Sequence, residues 1–310
     1  SSATWGLGST NFRLARQLAF VGDRRGLEVV AINRGQITAS VPLAKLVLPD
    51  IIGIEVHCDD LQGEAHHVYV TEGRRGVHVI DVREPARPRR VAFLATVNPR
   101  EMDLAGDHLY LADGIGGLRV FDVSEPEKIH QVGHVPMFDA HDVEVRWPHA
   151  YVADGPGGLA IIDIRAPIAP HLISAVGLSA EDRDPDQAIG VSVLFQNSRP
   201  IAAGGETLDE RSTARNLAAV LDHERGLRLV DVTEPRAPRV LFPRANPGAG
   251  DRSRTLANRM RREDVSYRGL AMLSHVDIAE AQGGEATTER DYVYVTAEVM
   301  RNGQARSVTT

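Results

Sequence analysis

Short apolar runs recur along this chain in a fixed order. Tyr110-Leu-Ala-Asp113 and Tyr151-Val-Ala-Asp154 each lead through a Gly-rich turn into a second run, Gly117-Leu-Arg-Val-Phe-Asp122-Val and Gly158-Leu-Ala-Ile-Ile-Asp163-Ile. Tyr69-Val-Thr-Glu72 precedes Gly76-Val-His-Val-Ile-Asp81-Val in the same way, and Gly226-Leu-Arg-Leu-Val-Asp231-Val carries the second run again. Aromatic and β-branched residues bounded by glycine and aspartate predict strands joined as hairpins. The Asp that ends each second run, with Pro85, Pro126, Pro167 or Pro235 a few residues on, predicts a side-chain-capped turn and a rigid corner. A further strand leaves each corner, as in Arg90-Val-Ala-Phe-Leu94, His130-Gln-Val-Gly-His134 and His171-Leu-Ile-Ser-Ala175.

Another strand precedes each hairpin. The segments 11–23, 101–113 and 142–154 align without gaps, and the pattern returns at Gly53-Ile-Glu-Val56, Gly190-Val-Ser-Val193 and His275-Val-Asp-Ile278. The unit therefore holds four strands. The aspartates at 81, 122 and 163 fall in two equal steps of 41 residues. A period of about 40–45 residues built from short strands predicts the blades of a β-propeller. Six first strands predict six four-stranded blades; a seventh blade supplied by residues outside this chain is the alternative. Because an open ring would leave strand edges and apolar faces unpaired, the segment Ala3-Thr-Trp-Gly-Leu7 is expected to complete the last blade, whose other strands would be Asp291–Thr296 and Gln304–Thr310.

The segments GLRVFDVSEP, GLAIIDIRAP and GLRLVDVTEP, with YLADG and YVADG upstream, closely resemble LVIVD-repeat β-propeller proteins. The resemblance covers residues 10–243 well and 275–310 loosely. It implies a bacterial, exported protein of the periplasm, cell surface or extracellular space. It further implies a structural or interaction module with protein partners, in some members fused to larger envelope or multihaem-cytochrome proteins.

Composition narrows the reading. At 310 residues with 43% hydrophobic content the chain is long enough for one propeller domain spanning 1–310. The formal charge of −7 argues against a nucleic-acid surface, because phosphate contacts need clustered Lys and Arg. A single cysteine, Cys58, excludes an internal disulfide framework, and no CxxCH site for covalent haem occurs. No run approaches the eighteen apolar residues of a membrane helix. The start at Ser1-Ser2 without Met suggests a processed start or a segment of a longer polypeptide.

Two insertions break the period, near 179–216 and 244–274. The second contains an Arg-rich stretch, 253–264, read as a short exposed helix.

The first strands of propeller blades line the central channel, and alternate residues face it. One tier then reads Arg13, Glu55, Asp103, Glu144, Ser192 and Asp277; the other reads Asn11, Gly53, Glu101, Asp142, Gly190 and His275. Carboxylates crowded together repel unless a cation, protonation or water offsets them. Glu55, Asp103, Glu144 and Asp277 are thus a candidate site for a hard cation such as Ca²⁺; the competing expectation is a wet polar channel in which Arg13 bridges carboxylates. No catalytic set stands out. Ser192 with Glu144 and His275 is the nearest approach to a nucleophile, acid and base. His57-Cys58-Asp59-Asp60 with His66-His67 fits no standard zinc spacing. The acids Glu72, Asp113 and Asp154 recur at equivalent turns, and recurrence favours a structural role. The leading expectation is a non-enzymatic module; the alternative is a Ca²⁺-dependent hydrolase or lactonase acting in the channel.

Overall fold

The computed structural model describes residues 11–15, 18–23, 25–32, 41–58, 64–73, 75–178, 187–195, 216–223, 226–242, 281–289, 292–301 and 304–309. Sheet one comprises β1 (Asn11–Ala15), β2 (Leu18–Asp23), β3 (Gly26–Ala31) and β4 (Val41–Leu46). Sheet two comprises β5 (Ile51–Cys58), β6 (Ala65–Glu72), β7 (Gly76–Asp81) and β8 (Arg89–Ala95). Sheet three holds β9 (Met102–Ala105), β10 (His108–Ala112), β11 (Leu118–Asp122) and β12 (His130–Val135), with a 3-10 turn at Pro126–Lys128. Sheet four holds β13 (Asp142–Arg146), β14 (His149–Ala153), β15 (Leu159–Asp163) and β16 (His171–Val176). Sheet five holds β17 (Ala188–Phe195), β18 (Asn216–Asp222), β19 (Gly226–Asp231) and β20 (Arg239–Phe242). A three-stranded sheet follows, of β21 (Ala281–Glu289), β22 (Tyr292–Arg301) and β23 (Gln304–Thr309). Every sheet is an antiparallel meander in chain order. The first strands β1, β5, β9, β13, β17 and β21 each lie against the next.

The core sits between consecutive sheets. Phe20 and Leu27 of sheet one pack with Ile54, Val68 and Ile80 of sheet two. Tyr69 and Val79 meet Leu109 and Phe121, Leu118 and Val120 meet Val143 and Val152, and Tyr151 and Ile161 meet Val191 and Val220. Strands β7 and β15 are buried at every residue, whereas the outer strand β8 is exposed at four of its seven. A strand covered on both faces needs a continuous apolar run, as the repeat supplies.

Three local devices recur. Gly117 and Gly158 open their third strands at φ 74°, and a Cβ there would run into the carbonyl oxygen of Val135 or Val176 on the outer strand. Position and backbone conformation together demand glycine. Next, the aspartate closing each third strand accepts the amide two residues on: Arg83 N to Asp81, Ser124 N to Asp122, Arg165 N to Asp163 and Thr233 N to Asp231, at 2.9–3.1 Å. These are the expected Asx turns. Finally, the outer strand of each four-stranded sheet carries one extra residue opposite the third strand: Leu43, Val91, Val132, Ile173 and Leu241. Val91, Val132 and Ile173 pack into the clusters between sheets, so the bulge re-aims an apolar residue.

The strand expected at His275–Ile278, the closing strand at Ala3–Leu7 and the helix at 253–264 lie outside the described residues. The strand expected at Asp291–Thr296 falls within β22, and the one at Gln304–Thr310 is β23. The first partner of β22 is β21, Ala281–Glu289. Its AQGGEATTE sequence lacks the β-branched alternation that marks the other strands.

Candidate channel site

The inward tier residues come together because each sits at the same register of a first strand. Glu55 opposes Tyr69, Asp103 opposes Tyr110 and Glu144 opposes Tyr151 across the first hairpin. All three tyrosines are buried, and burial pushes the Tyr110 and Tyr151 hydroxyls up to about 12.

Each described carboxylate of the tier is engaged by protein donors. Arg13 Nε donates to Glu55 Oε2 at 3.1 Å, from sheet one to sheet two. Val145 N of sheet four donates to Asp103 Oδ2 at 2.6 Å, and Leu104 N to Asp103 Oδ1 at 2.8 Å. Val193 N of sheet five donates to Glu144 Oε2 at 2.7 Å, while Arg146 pairs with Glu144 Oε1. In the second tier, Val191 N donates to Asp142 Oδ2 at 2.8 Å. Asp103, Asp142 and Glu144 thus reach across to the next sheet and take amides from its first strand. Hydrogen bonds to a charged acceptor each contribute about 1.5–3 kcal/mol. Gly53 fits the same crowding, since a Cβ there would meet the carbonyl oxygen of Arg100 at 2.7 Å and Glu101 Oε2 at 2.9 Å.

Electrostatics follow from burial. Desolvation raises the carboxyl of Glu55 against the pull of Arg13, that of Asp103 against its two amide donors, and that of Glu144 against Arg146. Asp277 and His275 lie outside the described residues, so Ser192 is seen with one of its two expected companions: its hydroxyl donates to Glu144. Among the described residues no group of three or more His, Cys, Asp or Glu is placed to hold a metal ion. His57 and His67 oppose one another on β5 and β6, and Cys58 opposes Ala65. At the mouth, His141 Nε2 meets Asp139 Oδ2 at 3.0 Å, and Arg100 lies 3.8 Å from Asp139 Oδ1; burial pulls the His141 imidazole down.

The hairpin acids have a role that spacing alone did not reveal. Asp113 is buried and accepts Val97 N at 3.0 Å, Asn98 N at 2.8 Å and Arg119 Nε at 2.6 Å. Asp154 accepts the amides of Phe138 and of Asp139, the latter at 2.9 Å, and Asp222 accepts Gln187 N at 3.3 Å. In each case the acid ends a second strand and ties down the linker arriving from the previous sheet. Glu72 instead pairs with Arg75 at 3.1 Å and with buried His78 at 2.5 Å.

Successive antiparallel meanders packed through adjacent first strands define a β-propeller. The Myceliophteria thermophila Cps50 (Swd1) β-propeller domain shares this fold at TM-score 0.56 and 12% identity, over 97% of this chain and 82% of that one. A chain from a nidogen/laminin complex matches at TM-score 0.47 and 11% identity, over 96% of this chain and 93% of that one. The search of curated proteins found no match. Within the propeller the chain carries LVIVD repeats, matched at residues 100–135 and 139–177. These two spans coincide with sheets three and four.

Proposed function

We propose that this propeller is a non-enzymatic scaffold, a protein-interaction or structural module of an exported or cell-envelope assembly. The observation that carries the reading is the use of the channel acids: Asp103, Asp142 and Glu144 spend oxygens on amides of the neighbouring first strand. Groups committed to joining blades are poorly placed to turn over a substrate, which needs a nucleophile with a free, positioned base. Among the described residues no helix is long and apolar enough to cross a membrane. We take the ring to be six-bladed, with Ala3–Leu7 adding the fourth strand beside β23.

Metal analysis of the purified protein, with an esterase and lactonase screen with and without Ca²⁺, tests the reading. The expected result is no turnover and no bound metal; hydrolysis that depends on Ca²⁺ and is lost in Glu144→Gln would overturn it. The second reading, a hard cation on Glu55, Asp103, Glu144 and Asp277, draws support from the raised carboxyls of the three described members, since buried carboxylates crowded on one face gain from a cation. A melting temperature that rises with Ca²⁺ and falls on chelation would favour it.

A further inference from the structure

The outer rim of sheet two is rich in arginine although the chain carries a formal charge of −7. Arg75, Arg83, Arg87, Arg89 and Arg90 are all exposed, against three acids in the same stretch, Glu72, Asp81 and Glu84. The matching rim of sheet three runs the other way, with Asp122, Glu125 and Glu127 against Lys128. Two of the acids in sheet two are already committed: Asp81 holds Arg83 at 2.6 Å and Arg89 at 2.9 Å, and Glu72 holds Arg75 and His78. Glu127 of the next sheet faces Arg83. Arg87 and Arg90 pair with no carboxylate among the described residues; Arg90 touches only the ring nitrogen Nδ1 of His78, at 3.5 Å.

These guanidinium groups flank an open strand. The 3-10 turn at Pro126–Lys128 lies against strand β8, but among the described residues β8 pairs with β7 alone, so no described strand is paired to its other backbone edge. Phe93, on the same strand, is 45% exposed. An unpaired edge is a template for an added strand. Arginine forks recognise carboxylates in two-point fashion, and an exposed aromatic beside them supplies contact area.

We propose that the β8 edge of sheet two docks an extended acidic segment of a partner protein, its backbone pairing along β8 and its carboxylates meeting Arg87 and Arg90. This rests on the reading of the protein as an interaction module and names the chemistry of the partner. A peptide is favoured over nucleic acid because the surplus is two guanidinium groups, Arg87 on the corner before β8 and Arg90 on β8, in a chain with formal charge −7, whereas a phosphate backbone requires a broad basic track. Arginines on an edge also serve to repel unwanted strands, and the experiment separates that role from docking.

The probe is a fluorescein-labelled Glu-Thr repeat peptide, followed by anisotropy at low and moderate salt. The comparisons are a Lys-Thr repeat and an oligothymidylate of equal charge to the acidic peptide. The expected result is saturable binding of the Glu-Thr peptide that weakens with salt, and falls roughly tenfold in Arg87→Ser/Arg90→Ser, the size of two lost charge contacts at an exposed rim. The variant Arg236→Ser/Arg239→Ser on the corner and outer strand of sheet five should bind as the wild type does. Unchanged melting temperatures in both double variants establish that folding is intact, which the exposure of all four side chains leads one to expect. Absence of binding, equal loss in both variants, or oligothymidylate binding as tightly as the peptide would each overturn the proposal. A purely repulsive role would show as aggregation of Arg87→Ser/Arg90→Ser with peptide affinity unchanged, and that too overturns it. Failure here with no hydrolase activity detected leaves the scaffold reading standing; hydrolase activity removes that reading whatever the peptide does.

Discussion

Sheets three and four carry the same acid at the same turn, yet in different electrostatic settings. Asp113 holds the amides of Val97 and Asn98 and also Arg119, which in turn donates to Gln131. Asp154 holds the amides of Phe138 and Asp139, but the position of Arg119 is taken by Ala160, and no cation among the described residues pairs with Asp154. Its carboxyl is accordingly raised, first by burial. What both sheets keep is the clamp on the incoming linker. The acid of this repeat is therefore a joint between successive blades, and the arginine is an accessory that offsets its burial.

The largest effect should come from breaking the richer joint. Asp113→Ala strips two amides of their acceptor and leaves Arg119, mostly buried, without its counter-charge. Loss of one partner of a buried pair costs about 3–5 kcal/mol, so this variant should melt far below the wild type or fail to fold. Asp154→Ala abandons two amides and no cation, and leaving buried donors unsatisfied costs about 1–3 kcal/mol. Chemical denaturation of the two variants side by side measures the difference; equal losses would mean that Arg119 contributes nothing to the joint. Comparable to Asp154→Ala is Gly158→Ala, which forces a side chain into a backbone carbonyl at φ 74°, a strain of roughly 1–3 kcal/mol. Gly116 and Gly157, packed against the Asp113 and Asp154 carboxylates, make the turn motif legible as more than a hairpin: the glycines make room for the acid.

How much of this could be read from the chain depends on the range of each interaction. The strands, the Asx turns at Asp81, Asp122, Asp163 and Asp231, and the demand for glycine at 117 and 158 involve neighbours within a hairpin or an adjacent strand, so their signatures lie in the local pattern. The hairpin acids were legible as structural because they recur. Their targets were not, since Val97 and Asn98 lie fifteen or sixteen residues before Asp113 and carry no side-chain signal for a backbone contact. The channel tier shows the same limit. Alternation placed Glu55, Asp103 and Glu144 in one register and predicted mutual repulsion. It could not show that the oxygens of Asp103 and Glu144 reach amides some forty to fifty residues away, because any residue but proline offers that donor. Strand β21 went unread because AQGGEATTE has no apolar–polar alternation, and its only β-branched residues are the adjacent Thr287 and Thr288.

The smallest effect is a difference of sign between Asp154 of sheet four and Asp81 of sheet two, and it sharpens the comparison most. Burial without a cation raises the carboxyl of Asp154 in the folded protein. The unfolded chain then ionises first, near the ordinary value of about 3.9. Its stabilisation is complete below about pH 4 and declines as pH rises through the folded-state value. For Asp81, Arg83 and its own turn amide hold the carboxyl well below the usual range. Its stabilisation is complete above about pH 4 and is lost as pH falls through the folded-state value. Melting curves from pH 3 to pH 7 for Asp154→Asn and Asp81→Asn test this directly. The wild-type advantage over Asp154→Asn should narrow as pH rises, and the advantage over Asp81→Asn should widen. Parallel curves would show that the two carboxyls sit in equivalent fields, and would remove the electrostatic distinction between a compensated acid and an uncompensated one.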